Sequence, residues 1–139
     1  MTPDTTEPLY TRDIDPGPII SRKLALVGYG NHGRSHALCL RDSGVSQIRI
    51  ALRPGSASRA KAEADGFEVV TVAEAAAWAD AIALLAADEA HRQIWTQDIL
   101  PHRKRGQALI VCHGFSVHYG MIEAPADADI ILAAAKGPG

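Results

Sequence analysis

Short apolar runs alternate with amphipathic segments from about residue 22 onward. The runs Leu24–Val27, Gln47–Leu52, Phe67–Val70, Ala81–Leu85, Ala108–Cys112 and Asp129–Ala133 predict strands. Their near-continuous apolar character suits parallel strands covered on both faces, because a strand with one wet face alternates instead. Between them lie helix-like segments with clear punctuation. The first spans about Asn31 to Ser43 and stops at Gly44, and the second spans about Ser58 to Asp65 and stops at Gly66. Glycine just past the last periodic residue is the usual helix terminator. The third, alanine-rich over 73–79, opens with Thr71-x-x-Glu74, a capping box in which each side chain satisfies a backbone N–H of the other residue. The fourth runs from Asp88 through Trp95. Strand–helix alternation with short links requires right-handed crossovers. The expected fold class is therefore α/β, a doubly wound parallel sheet of about six strands with helices on both faces.

Composition narrows the class. At 139 residues the chain holds one domain with a real core. Residues 1–22 carry four prolines and little periodicity, and read as a partly ordered lead-in to a domain at 23–139. A net charge of −2 argues against general nucleic-acid binding. The basic cluster His102-Arg103-Lys104-Arg105 reads as a solvated connection, and Asp127-x-Asp129 as a solvated strand entry. Cys39 and Cys112 lie in apolar stretches without metal-like or redox-like spacing, and read as buried, reduced thiols of a cytoplasmic protein. The N-terminus lacks the basic and apolar regions of a signal peptide. No apolar stretch approaches the roughly 20 residues of a membrane span.

The most informative stretch is Gly28-x-Gly30-x-x-Gly33, placed between the first strand and the first helix. In a Rossmann-like turn the first glycine permits the tight bend, and the second lets backbone approach a pyrophosphate. The third lets the helix pack against the strand. The anion then rests on free N–H groups at the positive end of the helix dipole. The second strand ends in Arg53-Pro54-Gly55-Ser56-Ala57-Ser58, with no carboxylate where an NAD site binds the ribose 2′-hydroxyl. A guanidinium fork with two hydroxyl donors suits a 2′-phosphate instead, which favours NADP over NAD. Ser58 also stands where it can cap the second helix. His113 follows the fifth strand, at the sheet edge where open α/β folds place ligands, and histidine exchanges protons near neutral pH. A plain loop histidine is the other reading. His32, His36 and Cys39 share one helix face, but a metal there is disfavoured because His32 lies inside the glycine turn. Asp88 and Glu89 can also serve simply as residues of a helix start.

Taken in order, Gly28-Tyr29-Gly30-Asn31-His32-Gly33-Arg34-Ser35-His36-Ala37, Arg53-Pro54-Gly55-Ser56-Ala57-Ser58, Asp88-Glu89, His113-Gly114-Phe115-Ser116-Val117-His118-Tyr119 and Lys136-Gly137-Pro138-Gly139 closely resemble the N-terminal domain of ketol-acid reductoisomerase (acetohydroxy acid isomeroreductase). The likeness extends from about Leu9 to Gly139. It implies an NADPH- and Mg²⁺-dependent enzyme of valine and isoleucine biosynthesis. Such an enzyme shifts an alkyl group within 2-acetolactate or 2-aceto-2-hydroxybutyrate, then reduces the resulting 2-keto acid with hydride. By the same likeness, Tyr29, Gly30, Asn31 and His32 line the pyrophosphate, and Arg53, Ser56 and Ser58 hold the 2′-phosphate. Asp88, Glu89, Ala90 and His91 edge the nucleotide cleft, His113 and Lys136 stand at the active site, and Gly139 meets the nicotinamide end.

The chain also departs from the family. Asn31-His32 stand where Ser-Gln is common, Ala86-Ala87 replace Thr-Pro, Ala90-His91 replace Phe-Gln, and Ala135 replaces a proline. Lost prolines loosen loops, since proline pre-sets φ. The family's Mg²⁺ ligands come from a helical C-terminal domain whose place is beyond Gly139, so the chain alone is expected to bind NADPH without isomerising substrate. That helical domain, or a second copy, is the expected partner. A non-catalytic dinucleotide-binding module (a degenerate paralogue) and a different NADP-dependent reductase completed by homo-oligomerisation are the alternatives.

Overall fold

In a computed structural model, residues 10–134 are described. Six parallel strands, β1 (Leu24–Val27), β2 (Ile48–Ala51), β3 (Glu68–Val70), β4 (Ala81–Leu84), β5 (Ala108–Val111) and β6 (Asp129–Leu132), form one sheet in the order β3-β2-β1-β4-β5-β6. This is the doubly wound order, and its reversal lies between β1 and β4, where such sheets open a crevice at the strands' carboxyl ends. The helices are α1 (Gly17–Ile20), α2 (Asn31–Asp42), α3 (Arg59–Ala64), α4 (Val72–Trp78), α5 (Asp88–Gln93) and α6 (Phe115–His118). Among its described residues the lead-in contributes a 3₁₀ turn at Thr11–Asp13 and the one-turn α1. No helix of the described residues is long and apolar enough to cross a membrane.

The near-continuous apolar character of the inner strands follows from two cores, one on each face. At the sheet edge β6 instead leaves Ile131 and Leu132 exposed, contrary to the expectation of cover on both faces. Along β1, Leu24 and Leu26 enter a cluster with Ala37 of α2, Ala62 of α3 and Phe67. Ala25 and Val27 enter the other, with Ala75 and Ala76 of α4, Trp95 and Ile99. Small side chains on both partners let α4 sit close to β1 and β2, and Trp95 fills the remaining space. Truncating a fully buried residue such as Leu26 or Ile50 would cost about 2–5 kcal/mol. The capping box of α4 forms as the spacing predicts. Glu74 N–H donates to Thr71 Oγ1 at 3.3 Å, and Thr71 N–H donates to Glu74 Oε2 at 2.8 Å. These bonds hold the Glu74 carboxyl below its ordinary range.

Three sequence expectations are corrected here. Cys39 is exposed on α2 and Cys112 only partly buried, since the apolar stretch around Cys39 turns a different face inward. Arg103 makes a paired contact with Asp127 at 3.2 and 3.1 Å, and Asp127 also accepts from the Gly106 N–H. Neither residue is simply solvated, and the Asp127 carboxyl is held low chiefly by Arg103. Lys104 likewise bonds Asp80 and the Trp78 carbonyl, both at 3.0 Å.

Candidate dinucleotide site

The turn out of β1 needs each of its three glycines for a different reason. Gly28 has φ +103°, and a Cβ there would lie 3.0 Å from the Ala86 nitrogen and the Leu85 carbonyl carbon. A Cβ on Gly33 would run into the Gly28 carbonyl oxygen. Gly30 differs: its φ is −76°, which any residue adopts, and a Cβ built on it meets nothing within 4 Å. Neither conformation nor packing within the chain calls for glycine at this position. The space it leaves is open at the start of α2, whose first N–H groups no side chain caps. Uncapped N–H groups at a helix start, with backbone approachable from outside, form an anion cradle.

Beside this turn opens a cavity of about 740 Å³ at the carboxyl ends of β1, β2 and β4. Gly28, Tyr29, Arg53, Ser56, Ser58 and Ala90 line it, together with apolar walls from Val27, Leu52, Val72 and Ile94. Arg53 takes part in none of the ion pairs among the described residues. Ser56 Oγ accepts the Ser58 N–H at 3.3 Å, whereas the Ser58 hydroxyl makes no capping bond although it stands at the N-cap of α3. One guanidinium and two hydroxyl groups therefore remain available to a ligand on one short loop.

A polar network braces the turn from behind. Tyr29 is buried, packs edge-on against Phe67 at 6.1 Å, and donates from its hydroxyl to Asp65 Oδ2 at 2.8 Å. Arg34 of α2 grips the same carboxylate at 2.7 and 3.1 Å. The Arg34 and Tyr29 hydrogen bonds push the Asp65 carboxyl down to about 2. Burial, then the bond to Asp65, pushes the Tyr29 phenol up to about 12. The Tyr29 hydroxyl is thus engaged within the chain, while the residue also lines the cavity.

His91 is buried, at 3% exposed, and is not among the residues that line the cavity, although its bond partner Ala86 is. Nε2 lies 2.8 Å from the Ala86 carbonyl, so it carries the proton and donates; Nδ1 then accepts the Ser116 hydroxyl at 2.6 Å. The ring ties α5 to α6, an element that the apolar pattern does not announce. Asp88 and Glu89 occupy the first turn of α5 without capping it, and the N-cap is Ala87. Asn31 and His32 are exposed at the start of α2. His113 is exposed two residues beyond β5, where its Nδ1 accepts the Phe115 N–H at 3.2 Å. Lys136 and Gly139 lie outside the described residues. Sequence reasoning passed over Gln93, Ile94 and Asp98, which complete a cavity wall.

A family model described as "Acetohydroxy acid isomeroreductase, NADPH-binding domain" matches residues 18–139. The chain belongs to this family. It is 52% identical over 134 residues to the ketol-acid reductoisomerase (NADP(+)) of Saccharopolyspora erythraea, covering 96% of this chain and 40% of that protein. Among solved structures it is similar to an NADH-preferring ketol-acid reductoisomerase from an uncultured archaeon, with a TM-score of 0.87 and 35% identity over 94% of this chain and 41% of the other. A Mycobacterium tuberculosis 3-hydroxyisobutyrate dehydrogenase, at TM-score 0.64 and 21% identity over 82% of this chain and 40% of that one, shares the fold. The chain therefore spans about two fifths of the length of these relatives.

Proposed function

We propose that this chain is the NADPH-holding part of a ketol-acid reductoisomerase, a domain at residues 23–139 that acts in the cytoplasm with a helical, metal-binding C-terminal domain. The observation that carries the reading is Gly30, a glycine that neither its φ nor packing within the described residues requires, beside a cavity edged by Arg53, which has no ion-pair partner among the described residues. The N–H groups at the start of α2, from Asn31 to Gly33, receive the pyrophosphate. Arg53, Ser56 and Ser58 receive the 2′-phosphate, and Ala90 and Ile94 wall the adenosine. Asp88 and Glu89 shape the cleft edge. NADPH, when bound, supplies the hydride. His113 is the proton-exchanging group toward the 2-keto acid. Its Nδ1 is engaged by the Phe115 N–H, which leaves Nε2 for substrate. Lys136 and Gly139 complete that end by family likeness.

Among the described residues no group of three or more His, Cys, Asp or Glu is placed to hold a metal ion. Magnesium requires hard oxygen ligands, so the alkyl migration of 2-acetolactate is assigned to the combined domains and no step of it to this chain.

Parallel titration with NADPH and NADH tests the reading. NADPH is expected to bind at least about tenfold more tightly, the equivalent of one charge-assisted contact to the 2′-phosphate. Equal affinities would refute the role of the Arg53 loop. Addition of a ketol-acid reductoisomerase C-terminal domain with Mg²⁺ is expected to give turnover of 2-acetolactate, and the chain alone none. Turnover by the chain alone would point to the homo-oligomeric reductase. NADPH binding without turnover in the combined sample would point to a non-catalytic module.

A further inference from the structure

The loops after β2 and β4 flank β1 on its two sides, so the cavity above β1 has two facing walls. Arg53, Ser56 and Ser58 give the first wall its polarity. The second comes from α5 and its continuation, where Ala90 and Ile94 are followed by Gln93 and Asp98 as polar groups. We propose that Asp98 reads the 6-amino group of the dinucleotide's adenine, an inference that rests on the NADPH reading above.

The backbone geometry places Asp98 there. In an α-helix, a step of four residues overshoots the 3.6-residue turn by about 40°. Ala90 to Ile94 is one such step, and a second would swing residue 98 well off the cavity face. Beyond α5, however, residues Ile94–Ile99 are π-helical, as the Leu100 N–H to Trp95 carbonyl bond at 2.8 Å reflects. The wider i→i+5 turn undershoots where the α-helix overshoots, and brings Asp98 back in line with Ala90 and Ile94. Single π turns recur at functional sites because they redirect one side chain without breaking the helix.

The chemistry matches one end of an adenine. Leu52, Val72, Ala90 and Ile94 offer apolar surface to the ring faces. The Asp98 carbonyl accepts from His102 Nδ1 at 3.0 Å, but its carboxylate takes part in none of the ion pairs among the described residues. An ionised carboxylate accepts hydrogen bonds and donates none, so it selects a base edge that presents N–H. Adenine's 6-amino group is such an edge. Because the 2′-phosphate and the adenine hang from the same ribose, Arg53 and Asp98 address neighbouring parts of one ligand.

A binding cycle tests this with NADPH and with its analogue carrying hydrogen in place of the 6-amino group, against the parent chain, Asp98→Ala and Asp98→Asn. The parent is expected to prefer NADPH by about tenfold or more, since a hydrogen bond to a charged acceptor is lost with the analogue. Asp98→Ala should bind both ligands alike. Asp98→Asn, whose amide oxygen still accepts, should recover part of the preference. Equal binding of both ligands by the parent overturns the assignment and leaves the NADPH reading standing. A preference undiminished in Asp98→Ala also overturns it. Failure of the parent to bind either ligand overturns both. Should the variants fail to fold, the parent's preference alone decides.

Discussion

Gly30 and Gly33 sit three residues apart in one turn, yet alanine at each should fail in opposite ways. At Gly30, alanine is a poorer N-cap than glycine by about 0.5–1 kcal/mol. Against this, it reduces the freedom of the unfolded chain, which is worth about 0.4–1 kcal/mol in the other direction. Since a built Cβ meets nothing within 4 Å, no packing cost is added. Stability should stay within about 1 kcal/mol, or roughly 4 °C in Tm for a domain of this size. Affinity should not survive. The Cβ occupies the space through which a pyrophosphate reaches the N–H groups, and each such bond to a charged group is worth about 1.5–3 kcal/mol. One lost bond weakens NADPH binding by about tenfold to hundredfold. At Gly33 the Cβ meets the Gly28 carbonyl, which is backbone rather than the movable end of a side chain. Overpacking of about 1–3 kcal/mol should lower Tm by roughly 4–12 °C. Thermal melts and NADPH titrations of both variants are the assay. If Gly30→Ala binds NADPH as tightly as the parent, Gly30 has no ligand to serve. If Gly33→Ala melts with the parent, the packing argument fails.

Three further outcomes follow from the same geometry. Arg53→Ala should weaken NADPH binding by about tenfold or more and leave NADH binding unchanged, since only the 2′-phosphate is lost; a parallel loss for NADH would show a structural role. The Asp65 carboxyl titrates at about 2 in the fold against an ordinary 3.8. The stability it contributes is therefore complete above its ordinary value and lost as pH falls from there through about 2. Acid unfolding of Asp65→Asn should lack that part of the pH dependence, and superimposable profiles would contradict it. Ser116→Ala strands the buried Nδ1 of His91, which costs about 1–3 kcal/mol and is read as a fall in Tm. NADPH affinity should hold, because the buried His91 is not among the residues that line the cavity; a large loss of affinity would show that the ring supports the cleft.

The fold was legible because a doubly covered parallel sheet writes its inner strands as plain apolar runs; the edge strand β6 reads the same way although Ile131 and Leu132 are exposed. All six runs became strands, and the stops at Gly44 and Gly66 and the Thr71–Glu74 box marked helix ends at their observed places. What stayed hidden depends on partners distant in sequence. His91 turned inward because Ser116, 25 positions away, offers it a hydroxyl, and Asp127 left the solvent because Arg103 reaches it. Neither pairing has a local signature. The family likeness sets His91 at the cleft edge by position along the chain, and position alone does not announce that the ring is buried against Ser116 and Ala86. Asp98 was hidden for another reason. Its direction depends on a π turn, and no periodicity of apolar residues distinguishes one extra backbone atom group per turn from an ordinary helix.

Most polar groups described above bond within the chain, and a few beside the cavity do not. At the end where the strands begin, Asp80 receives the Lys23 N–H and Lys104, Asp127 receives Arg103 and Gly106, and Gln107 donates to the Ala76 and Ala79 carbonyls. Each of these three side chains is answered by another part of the chain, as expected of groups kept for stability. At the end where the strands finish, Arg53 and Asp98 have no charged partner among the described residues, and Ser58 leaves its N-cap bond unmade. Unspent hydrogen-bonding capacity costs a folded chain nothing while water fills it, but it becomes useful when a ligand displaces that water. The relative with 35% identity is described as NADH-preferring on nearly the same backbone, so the fold alone does not set the choice of dinucleotide. In the proposed reading that choice falls to Arg53 with Ser56 and Ser58, because only the 2′-phosphate distinguishes the two dinucleotides and the adenine proposed to face Asp98 is common to both.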